Sequence, residues 1–137
     1  MSRLDFAINH RYARVPRLEV VLHHNGQSVG TLALFDTGSE FSVFDTVLAQ
    51  GLGIELKGAP YQYVVGIERH PIRCPRRSLH VSLFAGADHV TTTAASLLFM
   101  PDISVINNIN GRDLLREVPF AMIHGRQELH LSLQRGD

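Results

Sequence analysis

One acid stands where an acid is costly. Asp36 closes the apolar run from Leu32 to Phe35, and Thr37, Gly38 and Ser39 follow it. A carboxylate at the end of a buried-looking strand needs a partner, hydrogen bonds or a use. The residues after it supply means for the last. Gly38 lacks a Cβ, so its backbone can approach the carboxylate and donate an N–H to it. Thr37 adds a hydroxyl that can bond neighbouring backbone or a symmetry mate. The chemistry this arrangement suits is that of a carboxylate pair. Two aspartates a few Å apart share one proton, because both cannot ionise easily. The ionised member takes a proton from water, and the protonated member polarises a carbonyl.

Other reactive residues are less organised. The eight histidines are His10, His23, His24, His70, His80, His89, His124 and His130, and none forms a His-Glu-x-x-His or other helical ligand pair. His23 and His24 adjoin a turn, and neighbours in a strand point to opposite faces. They read as surface histidines of a hairpin, so neither metal nor cofactor is expected. Cys74, the single cysteine, lies between Arg73 and Pro75 with no partner pattern. The adjacent arginine would lower its pKa, which makes a reactive thiol but not a mechanism.

Positioning Asp36 falls to a series of short strands. RLEVVLHH and SVGTLALFD flank Asn25-Gly26, a strong hairpin signal because both turn residues accept positive φ. After the Asp36 turn, EFSVF suggests another strand. Asp45 is placed to cap a short helix over TVLAQGLGI, closed by Gly51 or Gly53. PYQYVVGIERHPIRC reads as a hairpin with its tip near Gly66 to Arg69. Two strands joined around Ala85 to Asp88 come next. The stretch from Met100 to Leu115 begins as a loop and ends in a short helix starting near Gly111. PFAMIHGRQELHLSL is a final hairpin turning at Gly125-Arg126. Turn signals recurring every 8 to 12 residues favour an all-β barrel or sandwich with one or two short helices.

Composition sets the class. The 137 residues make one domain, with 45% hydrophobic and 19% charged residues. Thirteen basic residues balance thirteen acidic ones, so no global field points to nucleic acid. Arg73 to Arg77 (RCPRR) is the one local basic cluster, short and proline-containing, and reads as a solvated turn. No apolar stretch nears the roughly 20 residues that span a bilayer, and no signal-peptide core opens the chain. A cytoplasmic location is the default expectation.

The segment LALFDTGSEFSVFDTVLAQGLGI resembles the active-site region of retropepsin-like (retroviral-type) aspartic proteases. A second hallmark of that family is an apolar run followed by Gly-Arg-Asp or Gly-Arg-Asn and two apolar residues, and this chain has Ile109-Asn-Gly-Arg-Asp-Leu-Leu115. A hairpin with a central glycine lies between them, where the family carries its flap. The resemblance runs from about Arg17 to Leu133 and implies an all-β retropepsin-like barrel, one lobe per chain. Residues 1–16 would be an N-terminal extension (dimer strand, prosegment or tail) and 17–137 the domain. It implies an aspartic endopeptidase that hydrolyses an extended peptide or protein substrate. The alternative is a catalytically inactive dimerisation or peptide-binding module of the same fold. Asp36 would be the catalytic acid and base, with Thr37, Gly38 and Ser39 shaping its turn. Glu40 would pair with Arg112. Val64, Val65, Gly66 and Ile67 would form the flap, and Met100, Pro101 and Ile103 the pocket wall. With one Asp-Thr-Gly and no Asp-Ser-Gly in these residues, a dyad requires a homodimer. The chain departs from the pattern at Asn110, where an apolar residue is usual, and in its single flap glycine.

Overall fold

The computed structural model describes residues 2–12, 14–65, 70–85, 88–101, 103, 108–116, 118 and 120–136. The chain is almost entirely β, as its recurring turn signals foretell. In order, the strands are β1 (Ser2–Arg11), β2 (Arg17–His24), β3 (Gln27–Phe35), β4 (Val43–Asp45), β5 (Tyr61–Val65), β6 (Pro71–Ala85), β7 (Asp88–Met100), β8 (Asn108–Asn110), β9 (Phe120–Ile123) and β10 (Glu128–Gly136). Two short helices, α1 (Thr46–Gly51) and α2 (Arg112–Leu115), interrupt them.

Six strands close into a barrel in the order β2-β3-β8-β4-β7-β6, sealed by pairing of β6 with β2. β5 extends this sheet from the outer edge of β6. A separate sheet, β1-β10-β9, lies beside the barrel. β2 shows why the barrel forms. Leu18, Val20 and Leu22 are buried while Arg17 and Glu19 face outward, a period of two that places one face in the core. β2 and β3 form an antiparallel hairpin from Arg17↔Leu34 to His24↔Gln27. Asn25 (φ 47°) and Gly26 (φ 78°) make its turn in the expected left-handed conformation.

The main core fills the barrel and reaches into the second sheet. It joins Leu18, Val20, Leu22, Phe44, Leu83 and Phe99 to Leu129 and Leu131 of β10. Phe35 meets Phe120 edge-on at 4.8 Å between ring centroids, tying the end of β3 to β9. Tyr12 is also in this core, and its N–H donates to the Gln127 carbonyl at 2.9 Å. The segment read as an extension thus contributes β1, antiparallel to β10, and a core side chain.

Several elements differ from expectation. Residues 40 and 41 are bent, so the strand after the Asp36 turn begins only at Val43. Arg73 to Arg77 form no turn but lie in the first half of the fifteen-residue β6. Cys74 there is fully buried while its neighbour Arg73 is exposed, and pairing with β5 and β7 overrides the turn signal of Pro75. Asn108 to Asn110, expected as loop, form β8 between β3 and β4. Asn108 replaces an apolar side chain with hydrogen bonds. Its amide donates to Thr31 Oγ1 (3.0 Å) and the Leu32 carbonyl (3.3 Å), and its Oδ1 accepts the Asp45 N–H (2.9 Å). Asp45 caps α1 as foreseen, accepting the Val47 N–H at 2.9 Å, and Gly53 (φ 70°) follows the helix. Among the described residues, no helix is long and apolar enough to cross a membrane.

Candidate active site

Asp36 follows the last residue of β3, where pairing with β8 holds the backbone. Phe35 lies opposite Asn110, and the Asp36 N–H donates to the Asn110 carbonyl at 3.0 Å. The chain then reverses. The Ser39 N–H reaches back to the Asp36 carbonyl at 3.3 Å, and the Gly38 N–H donates to Asp36 Oδ1 at 2.9 Å. A Cβ on Gly38 would stand 3.2 Å from that same oxygen, closer than most Cβ contacts allow. Asp36 is half-buried, and Thr37 and Gly38 are exposed. Ser39 turns its hydroxyl to the Phe41 carbonyl at 2.7 Å. The carboxylate is therefore oriented by backbone, with one oxygen held and the turn open to solvent.

The two hallmark segments meet. The N–H of Arg112 donates to the Ser39 carbonyl (2.8 Å) and that of Asp113 to the Glu40 carbonyl (3.3 Å). Gly111 permits this approach, because a Cβ there would fall 2.2 Å from the Phe41 carbonyl oxygen. The expected ion pair between Glu40 and Arg112 is not among those formed by the described residues. Both residues are exposed. Glu40 instead borders a cavity of about 160 Å³ with Arg76, Asp113 and Arg116. The side-chain link runs through Ser42, which is fully buried. Its hydroxyl accepts the Gly111 N–H at 2.8 Å and donates to Asp113 Oδ1 at 2.5 Å, and that oxygen also accepts the Leu114 N–H at 2.7 Å. A serine shortly after an acidic turn carries no sequence signal of this role, because its partners are some 70 residues away.

A second, smaller apolar cluster lies beside the site. Val43, Cys74, Leu98 and Ile103 form it, with Phe41, Val64, Ile72 and Met100 packed against them. Three predicted pocket residues, Val64, Met100 and Ile103, are brought together here. Pro101 is exposed next to them, and Val65 lies on the other face of β5, 65% exposed. Gly66 and Ile67 lie outside the described residues. Burial raises the Cys74 thiol above its ordinary pKa, which corrects the expectation that Arg73 would lower it. Among the described residues, no group of histidine, cysteine or acidic side chains could hold a metal ion.

No family model matches this sequence, and no curated protein does either. Solved structures do. One of them, the crystal structure of a retropepsin-like aspartic protease from Rickettsia conorii, superposes with a TM-score of 0.68. The match covers 98% of this chain and 96% of that one, at 16% identity. The fold is retropepsin-like. At that identity the likeness concerns architecture, and the retropepsin-like barrel supplies the frame in which the Asp36 turn sits.

Proposed function

We propose that the chain is an aspartic endopeptidase that acts as a homodimer. The observation carrying this reading is the Asp36 turn on a retropepsin-like barrel: a half-buried carboxylate with one oxygen held by the Gly38 N–H, in a turn whose Thr37 and Gly38 are exposed. A single carboxylate of this kind lacks its proton-sharing mate, and the chain contains no second Asp-Thr-Gly. The mate would be Asp36 of a second copy across a two-fold axis. Exposed Thr37, next to it, is available to the same partner.

In the dimer, the ionised aspartate takes a proton from a water lying between the two. The water oxygen attacks the scissile carbonyl carbon while the protonated aspartate donates to the carbonyl oxygen. The tetrahedral diol then collapses: one of its hydroxyls gives its proton to the aspartate now ionised, the C–N bond breaks, and the departing amine takes its proton from the other, now protonated, aspartate. The substrate would bind as an extended strand beneath β5. A preference for apolar residues near the cut is expected, with Val64 and Met100 the partly buried members of the neighbouring apolar cluster.

Cleavage of a diverse peptide mixture at about pH 4 to 7, with Asp36→Asn as comparison and sedimentation of the same samples, tests this reading. We expect a dimer whose cleavage is lost in the variant. A dimer that cleaves nothing, and whose Asp36→Asn variant binds peptides as well as the parent, would make it a binding module instead. Cleavage through Asp36 by a strict monomer would refute the shared dyad.

A further inference from the structure

The β2–β3 hairpin tip carries chemistry that peptide hydrolysis does not use. Three of the eight histidines, His23, His24 and His80, line an open concavity of about 430 Å³ together with Asn25, Gln27, Ser28 and Ser78. Its size lies in the range of small-molecule sites. It is formed by the start of β3, whereas Asp36 follows the end of that strand. Nine residues at about 3.3 Å each separate them by about 30 Å.

Among the described residues lining the concavity there is no carboxylate. β2 contributes His23 and His24, β6 contributes His80, and β3 contributes only Gln27 and Ser28. Charged neighbours are turned elsewhere. Glu19 of β2 reaches toward Gly30, and Arg77 of β6 donates to the Glu55 carbonyl at 2.9 Å. Every ionisable group facing the cavity from the described residues is therefore an imidazole, and imidazole changes charge between about pH 5 and 8.

The hydrogen bonds are arranged so that protonation adds donors. His23 Nδ1 lies 2.8 Å from Ser28 Oγ, and its Nε2 lies 2.8 Å from Ser82 Oγ, which in turn bonds Thr91 Oγ1 at 2.7 Å. A neutral His23 must accept from one of these hydroxyls. An imidazolium donates to both, with Ser82 then donating to Thr91. This leaves the Ser28 O–H free to turn into the cavity. At His24, Nε2 accepts from the Asn25 amide at 3.3 Å. Protonation ends that bond and adds a donor at His24, which borders the concavity. Each step adds positive charge and a donor.

We infer that this concavity binds a small multivalent oxyanion, phosphorylated or polycarboxylate, through His24, His80, Ser28 and the charge of His23, and that it does so in the imidazolium form. Calorimetric titration of the full chain with inorganic pyrophosphate and, separately, with citrate tests this at pH 5.5 and 8.0 and constant ionic strength. Both probes gain negative charge as pH rises, so weaker binding at pH 8.0 must come from the protein. The expected result is saturable binding at pH 5.5 that falls at least tenfold at pH 8.0. It should also fall at least tenfold at pH 5.5 in a His24→Gln/His80→Gln variant. His89→Gln, whose ring stacks on Phe84 at 4.8 Å outside the concavity, should leave it unchanged. Binding of one probe alone identifies which oxyanion chemistry the site takes. Absence of saturable binding of either, equal affinity at the two pH values, or full affinity in the double variant overturns the inference.

Discussion

Asn110 is the residue whose chemistry least suits its surroundings. It is fully buried, and neither its side-chain nitrogen nor its oxygen has a partner among the described residues. Its neighbour two positions back, Asn108, is also buried but satisfied on both sides. What the Asp36 turn uses of Asn110 is only the backbone carbonyl. An unpaired buried amide costs about 1–3 kcal/mol, so Asn110→Leu, of similar volume, is expected to stabilise the fold by about that amount in urea unfolding, with the Asp36 geometry intact. No gain would mean that a water or a second chain satisfies the amide. Cys74 makes the opposite case, a reactive group made inert. Burial raises its pKa, so the thiol stays protonated through the ordinary thiol range in the folded protein while the unfolded chain begins to ionise. Stability is unaffected below that range and declines above it. Alkylation at pH 8 should be slow in the native protein and rapid in denaturant. Fast native labelling would show that the thiol is reachable.

At the scale of elements, the active-site turn and α2 behave as one unit. A four-residue helix cannot hold itself. Asp113 accepts from both Ser42 and the backbone of Leu114, and Ser42 takes the Gly111 N–H. Removing the hydroxyl leaves a buried N–H and a carboxylate short of one donor. Ser42→Ala is therefore expected to cost about 1–3 kcal/mol in denaturant unfolding. It should also lower peptide cleavage at temperatures where the protein remains folded, with Ser42→Thr recovering part of both. An unchanged stability would show that Asp113 is held by the backbone alone.

At the scale of the molecule, the second sheet decides how β10 is covered. β10 sits between β1 and β9, and its Leu129 and Leu131 belong to the main core. Removal of residues 1–11 would strip one edge of β10 of its partner, and an unpaired edge recruits another strand. The truncated chain is expected to melt several degrees lower in calorimetry, and to self-associate more strongly in sedimentation. Unaltered melting would mean that β1 contributes pairing without stability.

Local signals carried far in this chain. Asn25-Gly26 and the Asp45 cap each depend on neighbours within a few residues, and each appears as read. The Asp-Thr-Gly turn was legible for a similar reason, since the close approach of Gly38 to the Asp36 carboxylate leaves little room for a side chain. The Gly-Arg-Asp segment was legible only by its resemblance to a family motif, because Gly111 makes its close approach to Phe41, 70 residues away. Partnerships between distant segments were not. β8 is polar, and its Asn108 became strand-compatible only through Thr31, Leu32 and Asp45. β1 needs β10, more than a hundred residues away, to become a strand. Glu40 and Arg112 were matched by type, but the buried hydroxyl of Ser42 took the link, because a desolvated hydrogen bond is fixed by enclosure. Sequence spacing determined where the acid and its glycines stand. Only the folded barrel determined what encloses them, because enclosure is a property of segments that meet across the whole chain.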